Sequence, residues 1–493
     1  MTAGPSTDTV ASAAPRRRTG AVGHLWKSPI AILLVVAFMA WQATLGADAF
    51  WVVALGRHIL RTGSIPEGIP FATADSTGWH NVPVLAELVF ALATAPGDRG
   101  LAYLQLVLGG GALLLLGATA LRRGASDGKM ARVILLTALM SLPALVVIRL
   151  QMLSVLPFAV LMAVITGEAR RPSRRAWWVP AIVALWSNLH GAVLVGVAVT
   201  GCYLVVERLP RRPAESVALG AATIGALFLT PAGPRTLHYY LGVLSNQAAQ
   251  RGSELWAAPD LTRPLDAVMV AAGVVLLVLV LRRRRAAWEY AAVGSLSLAT
   301  VLAARNGVWL AFASFLLAAS PDLRLAPSGA RSDEGQQPRT DATPGLRHPD
   351  VTARPALRHW AVTGLVAVAL SASIIAAKPL VAGFVPADVS RAVEAQVVGQ
   401  GVVLASEPAV EQLAADGITV WLSDPIDAFH PADQATYLDF LLGLPSGRRA
   451  LDHVDVVLVD RSRPAHRLMV GQPGWRSTGV MGQWEVFTRD TPR

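Results

Sequence analysis

The chain has 493 residues, of which 53% are hydrophobic and 15% charged, with a mean hydropathy of +0.47; usage this apolar places most of it in a bilayer and excludes an ordinary soluble globule. The formal charge of +10 is spread in clusters that flank apolar runs, the pattern of membrane-topology signals, so no nucleic-acid partner is expected. A single cysteine, Cys202, lies in an apolar segment and leaves no intrachain disulfide to form.

Residues 1–27 are polar and carry Arg16, Arg17 and Arg18 ahead of the first apolar run; they read as a disordered cytosolic tail before a retained first span. A spanning helix needs about 20 apolar residues, which places candidates at 28–46, 100–121, 133–148, 152–168, 216–232, 265–281, 287–304 and 359–377. Residues 177–206 are too long for one span and 307–320 are short. The basic clusters at Arg122 and Arg123, between Arg170 and Arg175, at Arg211 and Arg212, and from Arg282 to Arg285 all fall on the cytosolic side only if 177–206 crosses twice, as a hairpin turning at Asn188 to Gly191. The expected architecture is thus an α-helical polytopic membrane protein of about 11 spans in the plasma membrane, with a transmembrane module over 28–320. Its N-terminus is cytoplasmic and its C-terminal α/β domain extracytoplasmic.

The first outer loop, 47–99, opens with Asp48 at the membrane exit, followed by Phe50, Trp51, Arg57, His58 and Arg61 along an amphipathic stretch that suits an interfacial helix. Gly63, Pro66, Gly68 and Pro70 end it. Asp48 is either an N-cap for that helix or a carboxylate held at the water–lipid boundary for chemistry. Asp75 and Glu87 share the loop, and with Asp48 they could hold a divalent cation through oxygen ligands, although their spacing is not diagnostic of one.

Three short turns on the same side carry polar groups: Arg149 and Gln151, Asn188 and His190, Arg305 and Asn306. Backbone freed at membrane depth needs protein or a water-filled cavity to satisfy it, and ionisable groups there point to function. The alternative is that the turns are merely polar and the arginines snorkel to headgroups. "SELWAAPDLTRP" places Glu254, Trp256 and Asp260 in a further outer loop, as a carboxylate facing the same cavity or as an interfacial anchor.

Residues 321–357, rich in Pro, Gly, Ser and charge, read as a flexible cytosolic linker, and 358–378 as the last span. Residues 379–493 form a water-soluble segment in which "GVVLA", "ITVWLS", "VDVVLV" and "WEVFTR" look like strands and "PAVEQLAADG" and "ADQATYLDFLLGL" like helices. Asp424, Asp427, Asp455 and Asp460 fall mostly at strand ends, where loop acids are ordinary, and no Gly-rich phosphate loop, metal cluster or nucleophile triad is present in the sequence.

Several stretches together, "GRHILRTGSIP", "GWHNVPVLAE" ending at Glu87, "RLQMLS", "WSNLHG" and "ELWAAPD", with the acid just after the first span, make the chain resemble the GT-C superfamily of polytopic membrane glycosyltransferases, in its bacterial branch. The resemblance covers most of the chain. It implies a polyprenyl-phosphate sugar as donor, a glycan, lipid or protein as acceptor, and Asp48 as the catalytic acid of the first outer loop. Members of this branch often place a His four residues after that acid, where this chain has Val52. The candidate substrate-binding set is Arg57, His58, Trp79, His80, Glu87, Arg149, Gln151, Asn188, His190, Glu254, Arg305 and Asn306. Sugar transfer to a hydroxyl needs a base for the nucleophile and positive charge for the departing phosphate. Asp48 could serve as the base, and Arg149, His190 and Arg305 could supply the charge; a single base with a lipid-phosphate donor suits inversion. Two other classes are compatible with broken membrane helices: a transporter or flippase, whose charges should lie near span centres, and an inert scaffold of the same architecture.

Overall fold

The computed structural model describes residues 25–97, 99–245, 257–321, 350–378, 383–397, 399 and 401–491. The tail 1–24, Glu254 with its neighbours 246–256, and most of the linker lie outside them.

The helices fall at the positions the apolar runs mark. In chain order they are α1 (Lys27–Gln42), α2 (Ala47–Thr62), α3 (Val84–Ala93), α4 (Arg99–Arg122), α5 (Asp127–Met140), α6 (Leu142–Val146), α7 (Met152–Arg170), α8 (Trp178–Ser187), α9 (Val193–Tyr203), α10 (Pro213–Ala226), α11 (Thr236–Ser245), α12 (Pro264–Leu281), α13 (Ala287–Leu302), α14 (Gly307–Ala319) and α15 (Asp350–Ala377). Among the described residues, four stretches are long and apolar enough to cross a membrane by themselves: α4, α7, α12 and residues 358–377 of α15. The bundle keeps large side chains on its outside, among them Trp41 and Leu365, which are 61% and 71% exposed, and Leu281, Leu298 and Val301. An aliphatic girdle of this extent has no stable place in water and matches a lipid environment.

The shorter helices have physical causes. The run at 133–148 breaks after Met140 because Pro143 at the start of α6 cannot donate into the preceding turn. The 177–206 stretch is two helices, α8 and α9, joined through 188–192. In α14 every residue is buried; a helix apolar on all sides and wrapped by its neighbours does not have to match the hydrocarbon thickness itself. Phe158 of α7, Trp186 of α8 and Trp309 of α14 meet there, with ring centroids 5.4 to 6.2 Å apart.

The chain order sends alternate helix ends to opposite poles of the bundle. One pole collects Arg123, Arg208 and Arg285 with their partners; the other collects the ends of α1, α6, α8 and α13 and the starts of α7, α9 and α14. The C-terminal domain sits over this second pole. It is built from α16 (Ala387–Gln396), α17 (Ala409–Ala415), α18 (Pro431–Leu441) and α19 (His466–Met469) around one sheet. Numbering the strands from the start of the chain, β1 (Thr44–Leu45) and β2 (Val147–Ile148) belong to the bundle, and the domain sheet holds β3 (Val403–Ala405), β4 (Val456–Asp460), β5 (Trp475–Met481) and β6 (Trp484–Arg489). The order is β3-β4-β6-β5, with β3 and β4 parallel and the other pairs antiparallel.

Two expectations change here. "ITVWLS" makes single bridges rather than a full strand: Val420 pairs with Val403 on one side and with Ala72 of the first loop on the other. Conversely β5 is a strand the apolar pattern does not reveal, because "WRSTGVM" is largely exposed and bulged between Ser477 and Gly479.

Candidate active site

Asp48 is placed by backbone pairing. The chain leaving α1 runs parallel to the chain leaving α6, Thr44 against Val147 and Leu45 against Ile148, and the Gly46 N–H donates to the Ile148 carbonyl at 2.9 Å. A β-carbon on Gly46 would stand 2.8 Å from Cγ of Arg149 and 3.0 Å from the Ile148 carbonyl, so only glycine lets the two segments come this close. The helix then starts, and Asp48 occupies its first turn. The N-cap is Gly46, with no side-chain cap, so Asp48 is not spent on capping; its charge faces the favourable end of the helix dipole.

The amphipathic helix expected at the bilayer surface is instead covered. α2 packs on α3 and on α17 of the C-terminal domain; Trp51 is 6% exposed, and Phe50 meets Phe384 edge-on at 5.9 Å. Gly56 lets α3 cross closely, since a β-carbon there would lie 2.1 Å from the Glu87 carbonyl. Gly63, left-handed at φ 68°, closes α2 by donating to Ile59 at 2.8 Å.

Two of the three polar turns meet beside Asp48, and the third contributes His190. Gln151 donates to the Arg305 carbonyl at 3.2 Å, and Asn306 donates to Ala299 at 3.0 Å, which fixes the turn before α14. The His190 ring accepts the Ala192 N–H through Nδ1 at 3.1 Å, leaving Nε2 as the free edge of the imidazole. Asp48, Gln151, His190, Arg305 and Asn306 all line one cavity of about 350 Å³, with Trp79 above them. A second cavity of about 370 Å³, lined by Met140, Met269 and Val308, shares Gln151 and Arg305 with the first and adds Arg149, Arg263 and Asp266. The charges of Asp48 and Arg149 both act on the Arg305 guanidinium.

The C-terminal domain completes the cavity, and the sequence reading missed this. The first loop continues its sheet: Thr73 donates to Val420 at 2.9 Å, Val420 to Phe71 at 3.0 Å and Ala74 to Trp421 at 2.8 Å. That docking brings Asp424 and Asp427, taken from sequence as ordinary loop acids, into the cavity wall with Tyr239 and Tyr240. Burial pushes the Asp427 carboxyl up to about 6, against the pull of its own backbone and of Trp79. Asp424 is raised too, first by burial and then by the charges of Asp48 and Asp427. The cavity therefore gathers three carboxyl groups, of Asp48, Asp424 and Asp427, around the Arg305 guanidinium.

Other expected site residues lie elsewhere. Arg57 and His58 line a separate cleft between α2 and residues 414–419, because their side of α2 turns away from Asp48. His80 is held by a backbone bridge to Glu67 and lines none of these cavities. Glu87 is fully buried in α3, takes a hydrogen bond from Asn81 at 2.6 Å on one carboxylate oxygen, and lines none of these cavities. Asn188 spends its amide on the carbonyls of Ala184 and Leu229, at 2.8 and 2.7 Å, tying α8 to the end of α10. Val52 is buried outright. Asp75 is exposed and accepts from Thr77 at 2.9 Å, so Asp48, Asp75 and Glu87 do not assemble into a cation site; among the described residues the acids that do converge are Glu407, Glu411 and Asp424.

No family model and no curated protein matches the sequence. Among solved structures, the chain is similar to ArnT from Cupriavidus metallidurans bound to undecaprenyl phosphate, at 15% identity and a TM-score of 0.47, over 93% of this chain and 97% of that one. It is similar also to ArnT from the same organism in the apo state, at 14% identity and a TM-score of 0.41, over 93% and 96% of the two chains.

Proposed function

We propose that the chain is an inverting membrane glycosyltransferase that moves a sugar from a polyprenyl-phosphate donor to an acceptor hydroxyl, with Asp48 as base. The observation that carries this reading is the convergence of Asp48, His190 and Arg305, from three distant parts of the sequence, on one cavity at the pole of a lipid-facing bundle. The sequence resemblance to GT-C enzymes supports it. The opposite pole carries the dense arginine clusters, which supports a cytosolic side for that pole and the other side for the cavity.

In this mechanism the acceptor oxygen attacks the anomeric carbon as its proton passes to Asp48, and the bond from that carbon to the phosphate oxygen breaks, leaving polyprenyl phosphate. Arg305, at the wall common to both cavities, and Arg149 in the second one hold the phosphate as charge grows on it. The side of the second cavity formed by Met140, Met269 and Val308 takes the first part of the lipid. Asp427 and Trp79 receive the sugar from above.

The test is transfer of label from radiolabelled polyprenyl-phosphate sugars in proteoliposomes, for the wild type and Asp48→Asn. A positioned base contributes about 10²–10⁴ in rate, so the variant is expected to lose at least about a hundredfold while inserting and melting like the wild type. Full activity in a correctly inserted Asp48→Asn protein would refute the role, and uptake of the lipid without transfer would indicate transport.

A further inference from the structure

The acids of the C-terminal domain that point toward the bundle present a feature sugar transfer does not use. Glu407 follows β3, Glu411 lies in α17, and Asp424 follows the segment that bridges β3 to the first loop. One carboxylate oxygen from each lies within 4.8 Å of the other two. Glu411 is fully buried; neither of its oxygens makes a hydrogen bond of good geometry among the described residues, and the nearby backbone N–H groups of Glu411 and Asp424 are what favours its charged form. A buried carboxylate without well-formed hydrogen bonds costs more than a lost hydrogen bond, so a further partner would stabilise it.

We propose that Glu407, Glu411 and Asp424 bind one hard divalent cation of the size of Mn²⁺ or Ca²⁺. Carboxylate oxygens are the ligands such ions select. With metal–oxygen distances of about 2.3–2.6 Å, two ligand atoms of one shell lie at most about 5 Å apart, which is the spread of this cluster. The cation supplies a partner to the oxygens of Glu411 and cancels the repulsion among three carboxylates. Because Asp424 also lines the cavity that holds Asp48, the ion pins the loop carrying Asp424 and Asp427 to the domain and leaves its remaining coordination positions for water or substrate on that side. A proton on Glu411 is the rival way of neutralising the cluster, and it requires no metal.

The two are separated by titrating Mn²⁺ into the full chain in phosphatidylcholine nanodiscs and following the loss of the free-ion EPR signal. The expected result is saturable binding of one Mn²⁺ per chain, displaced by Ca²⁺. Glu411→Gln and Glu407→Gln should weaken binding by about tenfold or more, and Asp388→Asn, an exposed acid of the same domain, should leave it unchanged. Mn²⁺ should also raise the melting temperature of the wild type and not that of Glu411→Gln. Absence of saturable binding up to about 1 mM, or unchanged affinity in both Glu411→Gln and Glu407→Gln, would overturn the site. Should Glu411→Gln fail to insert, Glu407→Gln and the wild-type titration carry the test. Binding is read without any sugar donor, so its failure and the failure of the transfer reading are separately visible.

Discussion

The two poles of the helical bundle are both rich in charge, yet they treat it in opposite ways. At the arginine-rich pole the buried arginines each reach a charged or polar partner, although Nε of Arg208 makes no hydrogen bond among the described residues. Arg208, 3% exposed, reaches Glu168 at 3.4 Å and Glu215 at 2.7 Å. Arg123 donates to Thr166 at 2.6 Å, and Arg285 to the Ser320 carbonyl at 3.1 Å. Asp127 gathers the backbone N–H groups of Trp26, Lys27 and Ser28 at 3.1, 2.9 and 2.8 Å, closing the start of α1 onto α5. At the cavity pole the Nε of Arg149 and both oxygens of Glu411 are buried without a well-formed hydrogen bond among the described residues, and the groups around them line open space. Saturated charge holds helices together; unsaturated charge around a cavity is what a ligand completes.

Breaking this contrast should give different phenotypes at the two poles. The largest expected effect on stability is at the saturated end: Glu168→Ala removes one of the two carboxylates that answer buried Arg208 and leaves Glu215 in place, so the loss is a part of the about 3–5 kcal/mol that a fully broken buried pair costs. It should lower the melting temperature and the yield of inserted protein while the molecules that fold keep their turnover. At the cavity pole, Arg305→Lys should do the reverse. Replacing a guanidinium fork by a point charge loses directional contacts to phosphate, each worth about 1.5–3 kcal/mol when charged, so turnover should fall by about ten- to a hundredfold with little change in melting. A melting loss in Arg305→Lys that matches its activity loss would erase the distinction between the poles.

The legibility of the sequence followed the same division. Apolar run length and arginine placement located the helices, including the α8–α9 turn, because the bilayer imposes length and charge rules on each segment separately. The polar turns at Gln151, His190 and Arg305 could be read because a polar group inside an apolar run is conspicuous locally. Arg57 and His58 misled because they share a helix with Asp48, and which face of α2 points to the cavity is decided by the domain that covers it. Asp424 and Asp427 were hidden for a related reason. Nothing in "LSDPIDAF" distinguishes them from ordinary loop acids until Val420 pairs with the first loop and carries them to the cavity.

The smallest expected effect sharpens the comparison by pH. Asp427 has a carboxyl raised by burial from near 3.8 to about 6 in the folded protein, so the folded state holds its proton more tightly than the unfolded chain does. The stability this contributes is fully present below about pH 3.8 and is lost as pH rises through about 6, where the cavity wall must carry the charge. Asp427→Asn removes that ionisation. The variant should melt like the wild type at low pH, gain on it between pH 4 and 6, and stay ahead by a constant few degrees above pH 7. A shift of this size corresponds to at most about 3 kcal/mol, and less in practice because the carboxyl borders the open cavity and is partly screened. The paired carboxylate Glu215, held by Arg208 and Arg212 at the other pole, offers the matched control. Glu215→Gln should give no gain at high pH, because there the charged form is the one the fold prefers. If both variants gained equally above pH 7, the general relief of surface charge would explain the result, and Asp427 would lose its claim to be a charge held in readiness for a ligand.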